Sequence, residues 1–318
     1  MRLIVAGATG YLGNEVLRQA LDRGYEVTAL LREQTPVPAE WVHPKLTIHR
    51  AELAHEGWSV GLPKQDAIIS CIASRQGGID DAWLVDYGAN NALLDWAEQD
   101  GAMRFIMMSA ICVQKPRLAF QYAKKKFEDE LLASSLHSTI IRPTAFYKSL
   151  SGQISRVQQG KSFMVFDGGN QTACKPISMR DLAQYTLIQL DDSSSFGRTL
   201  PIGGPGPAIT PREQGELLAR LCQQKSRIQS VSSRLFDVGD RLLQPLSGLS
   251  TWARDKAEFF RIAKYYAQES MLVWDPKTSR YDASLTPETG SDTLGEFYES
   301  VIKHGAVMNR AHHQLFGG

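Results

Sequence analysis

The first 145 residues alternate short apolar runs with amphipathic segments of helical period. In residues 14–23, for example, Val16, Leu17, Ala20 and Leu21 recur at the spacing that puts them on one face of a helix. Short apolar runs bounded by turn residues indicate buried strands. The predicted strands are 2–6, 25–31, 45–50, 67–73, 104–109 and 138–142, and the predicted helices are 14–23, 85–100 and 124–134. This alternation predicts an α/β fold with a Rossmann-like, doubly wound parallel sheet.

Beyond residue 145 the alternation of strand-like and helix-like segments becomes irregular. Glycine and proline cluster at 167–169 and 201–207, which marks turns between smaller elements. A helix is predicted over 210–222, because Thr210 and Pro211 have the form of an N-cap followed by an N1 proline. Residues 235–249 and 257–266 are amphipathic. We therefore expect a second, smaller part after the sheet.

Composition narrows the class of protein. The 318 residues carry 35 Lys and Arg against 34 Asp and Glu, a net charge of +1, which argues against a nucleic-acid partner. We expect no signal peptide, because the apolar run after Met1 has neither a basic n-region nor a cleavage site. We also expect no spanning segment, because no apolar stretch approaches the ~18 residues that a bilayer requires. The four cysteines form no CxxC pair, which is typical of a reduced, cytoplasmic protein. His304, His312 and His313 lie in a tail where we expect no metal site.

A glycine-rich turn follows the first predicted strand and opens the first helix. Its GxxGxxG spacing is a variant of the dinucleotide fingerprint. The first glycine permits the turn, the second lets the backbone approach a pyrophosphate, and the third lets helix and strand pack closely. The predicted cofactor contacts here are Gly7, Thr9, Gly10, Tyr11, Leu12 and Gly13.

The end of the second strand separates NAD from NADP. Proteins that bind NAD usually place an acidic residue there to hold the ribose 2′-hydroxyl. This strand is followed by Arg32, whose guanidinium suits a 2′-phosphate, with Glu33 one residue further as the competing signal. We therefore predict NADP(H).

A serine and a YxxxK sequence suggest the catalytic group of a short-chain dehydrogenase/reductase. Ser109 ends a strand, and Tyr122 and Lys126 follow at a helical i,i+4 spacing. A nearby ammonium lowers the pKa of a phenol, which would make Tyr122 a proton donor. Lys124 is a rival for the lysine role. The alternative is a solvated helix face with i,i+4 ion pairs between 124–126 and 128–130.

Two further segments lie where the predicted strands end. Ala73, Ser74 and Arg75 follow the fourth strand, at the sheet edge where such folds bind ligands, with a surface arginine as the alternative for Arg75. Pro143 ends the sixth strand and is a predicted cofactor contact. The candidates for the substrate pocket are Phe146, Tyr147 and Lys148, with core packing as the alternative for each.

Several blocks of sequence resemble the NADPH-dependent divinyl chlorophyllide 8-vinyl reductases, atypical members of the short-chain reductase superfamily. They are FIMMSAICVQKPRLAFQYAKKKFEDEL (105–131), IIRPTAFYKSLSGQ (140–153), ACKPIS with DLA (173–183), LPIGGPGPAITPREQGELL (200–218) and AKYYAQESMLVWDPKTSRYD (263–282). The resemblance covers nearly the whole chain.

The resemblance implies reduction of an 8-vinyl group to ethyl in (bacterio)chlorophyll biosynthesis, with NADPH as hydride donor and a tetrapyrrole as substrate. In this family a basic residue is common at the position of Tyr122, while the lysines of AKxKFE are kept, which favours Lys124 or Lys126. Met179 and residues 167–169 depart from the family pattern. Two alternatives follow: a reductase of another conjugated alkene or carbonyl, and a non-catalytic NADP(H)-binding sensor or assembly factor.

We predict two domains. Residues 1–150 form the NADP(H)-binding Rossmann domain, to which 173–190 return, and 151–318 form mainly a smaller, interleaved substrate-binding part. Residues 235–253 mix apolar, aromatic and basic residues. They suit either a helix that covers the core or a peripheral contact with a photosynthetic membrane.

Overall fold

The computed structural model describes residues 1–75, 77–246 and 250–305, with the side chains of Asp100 and Leu246 excepted. The strands are β1 (Arg2–Ala6), β2 (Glu26–Leu31), β3 (Leu46–Arg50), β4 (Ala67–Ser70), β5 (Arg104–Met108), β6 (His137–Pro143), β7 (Phe163–Phe166), β8 (Arg198–Ile202), β9 (Ile228–Val231), β10 (Val273–Asp275) and β11 (Arg280–Asp282). The helices are α1 (Tyr11–Asp22), α2 (Ile79–Asp81), α3 (Asn90–Asp100), α4 (Ala119–Ala133), α5 (Ile154–Gln158), α6 (Met179–Ile188), α7 (Pro211–Leu221), α8 (Arg234–Leu243), α9 (Thr251–Gln268) and α10 (Leu294–His304), with a π-helix over Ala82–Ala89.

Seven strands form the main sheet in the order β3-β2-β1-β4-β5-β6-β8. The pairs from β3 through to β6 are parallel. The strand order reverses at β1, which has β2 on one side and β4 on the other. Doubly wound sheets bind their ligands at such a switch point, beyond the carboxyl ends of the strands. The predicted Rossmann-like parallel sheet is confirmed.

The first of two compact units comprises residues 1–74, 80–143 and 179–200. Its strands are buried because β1, β4 and β5 carry apolar side chains at nearly every position, as sheets covered on both faces do. Phe105 of β5 meets Phe127 of α4 with ring centroids 5.8 Å apart. The core of this unit includes Ile4, Ala6, Ile68, Leu93, Phe105, Met107, Phe127, Leu131 and Ile140.

The second unit comprises residues 75–79, 144–178 and 201–318. Its core gathers around the fully buried Tyr298 of α10. The start predicted for α7 is confirmed, because Thr210 and Glu213 form a reciprocal capping box ahead of Pro211. The substrate-binding role expected of residues 151–318 stays a prediction.

Several element boundaries differ from the sequence-based expectation. The helix α1 begins at Tyr11 instead of residue 14, and β4 ends at Ser70 instead of residue 73. The predicted helix at 124–134 begins at Ala119, so Tyr122 lies within it. The first part of the predicted helix at 85–100 is a π-helix over Ala82–Ala89, which no periodicity of the sequence signals, and α3 begins at Asn90. Among the described helices, none combines the length and apolar character needed to cross a membrane.

Candidate cofactor and catalytic site

The glycine turn after β1 is so tight that a side chain at two of its glycines would force the neighbouring backbone to move. Gly7 has φ +74°, and a Cβ there would lie 2.7 Å from the carbonyl oxygen of Cys71. A Cβ on Gly13 would lie 2.2 Å from the carbonyl oxygen of Gly7. The same oxygen accepts a hydrogen bond from the Gly10 N–H at 2.9 Å. Strand, turn and helix are therefore packed backbone to backbone.

The N-terminus of α1 fits the pyrophosphate of a dinucleotide. Gly10 is the N-cap residue and contributes no side-chain cap, and the first turn of α1 carries no acidic residue. N–H groups in a first helical turn, here including those of Leu12 and Gly13, have no intrahelical carbonyl and attract anions. Thr9 and Tyr11 are exposed beside the turn. The cofactor contacts expected at this turn stay a prediction.

Arg32 is exposed directly after β2, as expected, and the loop that carries it is held by Arg50. The guanidinium of Arg50 donates from Nη1 to the carbonyl oxygens of Arg32, Glu33 and Thr35 at 3.2, 2.6 and 3.0 Å. Arg32 itself makes no side-chain hydrogen bond or ion pair with another described residue, so its guanidinium is available to an anion. Sequence reasoning missed Arg50, whose only signal was its place at the end of a neighbouring strand.

Lys124 lies on the buried face of α4 and belongs to a network beside the end of β4. Its ammonium is 3.0 Å from Oδ1 of Asp86 in the π-helix and 3.5 Å from the carbonyl oxygen of Ile72. The hydroxyl of Ser74 donates to the other oxygen of Asp86 at 2.6 Å. Lys124 is 5% exposed and Asp86 1%. The structure thus brings Lys124 and Ser74 together through an aspartate that the sequence gave no reason to choose.

Ser109 is also tied to a buried carboxylate. Its hydroxyl donates to Oε1 of Glu128 at 2.5 Å, and Nε of Arg142 donates to the same oxygen at 3.0 Å. Nη2 of Arg142 binds the second oxygen of Glu128, which makes the pair bidentate. Glu128 is one helical turn after Lys124 on α4, so one helix face presents both a cation and an anion to the interior.

Tyr122 and Lys126 lie together on the outer face of α4. Tyr122 is 49% exposed. The ammonium of Lys126 is 2.6 Å from Glu130 and 4.9 Å from the ring centroid of Tyr87. Its pKa is raised by the hydrogen bonds to Glu130 and Tyr87. The residue one turn before Lys124 is Phe120, which has no hydroxyl, so the inner face of α4 carries no YxxxK pair.

The remaining candidate residues lie at or after the ends of the strands β4 and β6, and they differ in burial. Ala73 and Arg75 are exposed after β4, and Pro143 is buried at the end of β6. Tyr147 is 2% exposed, donates its hydroxyl to the carbonyl oxygen of Asp292 and belongs to the core of the second unit. The burial of Tyr147 is therefore explained by core packing, which is the alternative to a role in the substrate pocket. Phe146 is half-buried, and burial lowers the pKa of Lys148 from its ordinary value.

Of the three histidines in the C-terminal tail, the structure describes one. His304 is the last residue of α10, whereas His312 and His313 lie outside the described residues. Among the residues that are described, no group of three His, Cys, Asp or Glu side chains is placed to hold a metal ion.

Comparison with known proteins decides the family. A protein-family model described as NAD(P)H-binding matches residues 7–193. The divinyl chlorophyllide a 8-vinyl-reductase of rice (Oryza sativa subsp. indica) is 42% identical over 95% of this chain and 79% of its own length. The chain belongs to the divinyl chlorophyllide a 8-vinyl-reductase family. The predicted nicotinamide cofactor is confirmed by the family model, which spans the glycine turn, Arg32 and Lys124.

Two more distant similarities bear on function and fold. The photosystem II assembly factor Ycf39 of Guillardia theta is 28% identical over 83% of this chain and 82% of its own. A nucleoside-diphosphate-sugar epimerase from Staphylococcus aureus superposes with a TM-score of 0.68 at 15% identity, covering 94% of this chain and all of the epimerase. That superposition is evidence for a shared fold only.

Proposed function

We propose that this protein is an NADPH-dependent reductase that converts the 8-vinyl group of a divinyl (proto)chlorophyllide to ethyl in chlorophyll or bacteriochlorophyll biosynthesis. The observation that carries the proposal is the 42% identity with the rice 8-vinyl-reductase over 95% of the chain. The glycine turn and the exposed Arg32 support a phosphate-rich nicotinamide cofactor in particular.

Reduction of a vinyl group requires a hydride at one carbon and a proton at the other. A bound reduced nicotinamide would supply the hydride to the outer vinyl carbon. The negative charge would then spread into the conjugated macrocycle until the inner carbon takes a proton from a lysine, Tyr122 or water. A fixed cation in a site from which water is excluded stabilises such charge. We assign this role to Lys124, because its ammonium is buried and its position is fixed by Asp86.

The other residues of the site have positioning roles in this proposal. Glu128 holds Ser109 and Arg142 at the carboxyl ends of β5 and β6, where ligands bind in such sheets. Arg32 would hold the 2′-phosphate, and Arg75 and Pro143 would contact the cofactor. Phe146 and Lys148 would contact the tetrapyrrole, with Lys148 meeting a carboxylate. Tyr122 and Lys126 are kept as the competing catalytic pair.

We infer a cytoplasmic protein, or its equivalent in a plastid, that touches a photosynthetic membrane only at its surface. Several relatives in the family are named as chloroplastic. A tetrapyrrole is an apolar substrate, which favours work close to a lipid phase. The near-zero net charge supports a partner other than nucleic acid.

The test is direct. The purified protein is incubated with NADPH and divinyl chlorophyllide or protochlorophyllide, and the pigments are separated by chromatography. Conversion to the monovinyl product supports the proposal, and turnover of an unrelated enone without tetrapyrrole reduction would instead support a different alkene or carbonyl substrate. A strain that lacks the protein should accumulate divinyl pigment.

A second candidate is a non-catalytic NADP(H)-binding assembly factor. The 28% identity with the Ycf39 assembly factor favours it. The two candidates separate in a strain that carries Lys124→Met together with Asp86→Asn, which removes the buried carboxylate that the lysine pairs with, and in a strain that lacks the protein. Full photosystem content together with accumulated divinyl pigment would indicate a reductase, whereas monovinyl pigment with reduced photosystem content in the strain that lacks the protein would indicate an assembly factor.

A further inference from the structure

The outward side of α8 carries three exposed aliphatic side chains in one line. Leu235, Val238 and Leu242 are 61%, 55% and 71% exposed. Their i, i+3, i+7 spacing places them on a single face of the helix. Trp252, in the first turn of α9, is also 63% exposed. Such a run of large apolar side chains in contact with water marks an interaction surface.

The opposite side of α8 packs against α9, and the acidic residues of α8 form ion pairs with basic residues of α9. Asp237 lies 2.5 Å from the ammonium of Lys264, and Asp240 lies 3.0 Å from Nε of Arg261. A Cβ on Gly239 would lie 2.9 Å from the ring of Phe260. Both carboxylates are thus paired with cations of α9.

The outward side keeps two cations. Arg234 and Arg241 are exposed and seven residues apart, so they form a row beside the aliphatic line. Neither guanidinium makes an ion pair with another residue in the described ranges. We call the surface formed by Arg234, Leu235, Val238, Arg241 and Leu242 the α8 face. The antiparallel pairing of α8 with α9 puts Trp252 at the same end of the helix pair as Leu242.

We propose that the α8 face docks on the surface of a membrane that contains anionic lipid. Helices that lie in the lipid interface combine an apolar line with arginines at its border, where the guanidinium groups reach phosphate. A second copy of this chain fits less well, because a two-fold contact would bring the same arginines of both copies together. This inference does not rest on the reductase activity, since vesicle binding requires neither cofactor nor pigment.

The experiment is flotation of the full-length protein with vesicles. One set contains only zwitterionic phosphatidylcholine, and the other adds anionic phosphatidylglycerol. We expect binding to the anionic set that falls as salt is raised, because salt screens the arginines. A triple variant in which Leu235, Val238 and Leu242 are each replaced by Gln should bind about tenfold or more weakly, because its apolar burial in the lipid is lost. Replacing Arg234 and Arg241 with Gln should remove the preference for anionic lipid.

The matched control replaces two exposed aliphatic residues elsewhere, Val42→Gln with Val60→Gln, and should bind as the native protein does. Circular dichroism checks that each variant is folded, and light scattering measures the oligomeric state without vesicles. Absence of binding to both vesicle sets would overturn the proposal. So would binding that the α8 variants leave unchanged, or a dimer that the aliphatic variant dissociates.

Discussion

The ammonium of Lys124 lies 3.0 Å from Asp86, although the chain offers Glu128 at the i,i+4 spacing that usually pairs with a lysine. The neighbouring Lys125 and Lys126 do pair along the helix, with Asp129 and Glu130. Lys124 and Glu128 differ because they face the interior, where each finds a partner on another element. The consecutive lysines therefore have different environments and different expected roles.

Replacing Lys124 should affect stability and activity through separate causes. Lys124→Met leaves Asp86 buried without its cation, which costs about 3–5 kcal/mol of unfolding free energy. Vinyl reduction should fall by about a hundredfold or more. Adding Asp86→Asn removes the buried charge and should recover stability but not turnover. Denaturant unfolding and steady-state kinetics measure the two effects, and recovery of both would assign Lys124 a structural role only.

Tyr122→Phe and Lys126→Met test the catalytic pair that the YxxxK spacing predicts. Both side chains lie on the outer face of α4, and Lys126 is already bonded to Glu130. We expect each variant to keep kcat within about twofold and to unfold at nearly the same denaturant concentration as the native protein. A hundredfold loss of kcat in Tyr122→Phe, with an unchanged melting temperature, would restore that residue as the proton donor.

Arg32→Gln should change the choice of cofactor. The exposed guanidinium suits a 2′-phosphate, and a charge-assisted hydrogen bond contributes about 1.5–3 kcal/mol. The Kd for NADPH should therefore rise roughly tenfold to a hundredfold, while that for NADH stays nearly constant. Fluorescence titration measures both. Glu33→Gln is the matched control and should leave the preference for NADPH in place; loss of that preference in the control instead of in Arg32→Gln would contradict the assignment.

Glu128→Gln should unfold more easily than Ser109→Ala. The glutamine cannot neutralise Arg142, whose guanidinium is mostly buried, so we expect a loss of about 3–5 kcal/mol. Ser109→Ala removes one hydrogen bond and should cost about 1–2 kcal/mol. Urea denaturation of both variants gives the ranking. Equal losses would mean that the charge pair contributes no more than the serine hydroxyl does.

The cysteines should react with alkylating reagents in a defined order. Burial raises the pKa of Cys71 and of Cys174 to about 12, so both thiols stay protonated as the pH rises through 8. At pH 8 such a thiol holds roughly a thousandfold less thiolate than an ordinary one. Burial also raises the pKa of Cys222, but its thiol is only half-buried, whereas Cys112 is buried. Cys222 should therefore be labelled first by iodoacetamide, as mass spectrometry would show. Unfolding in guanidinium should remove the difference; equal rates in the folded protein would contradict it.

Local patterns in the chain were enough to predict the sheet and the glycine turn. Apolar runs and helical periodicity depend on neighbouring residues, so they predicted the strands from β1 to β6 and the helix α7. The two close glycine contacts at Gly7 and Gly13 follow from the spacing of the turn. The reductase family was also visible in the sequence, and the relatives confirmed it.

The candidate catalytic site needed the tertiary structure. The sequence alone determined that the chain folds as a doubly wound sheet that opens with a glycine turn of the dinucleotide type, because those features depend on short-range order. It could not tell Lys124 from Lys126, or single out Asp86, Glu128, Arg142 and Arg50. Which lysine is buried depends on where the π-helix and β6 pack against α4, and such long-range contacts leave no periodic signal in the chain.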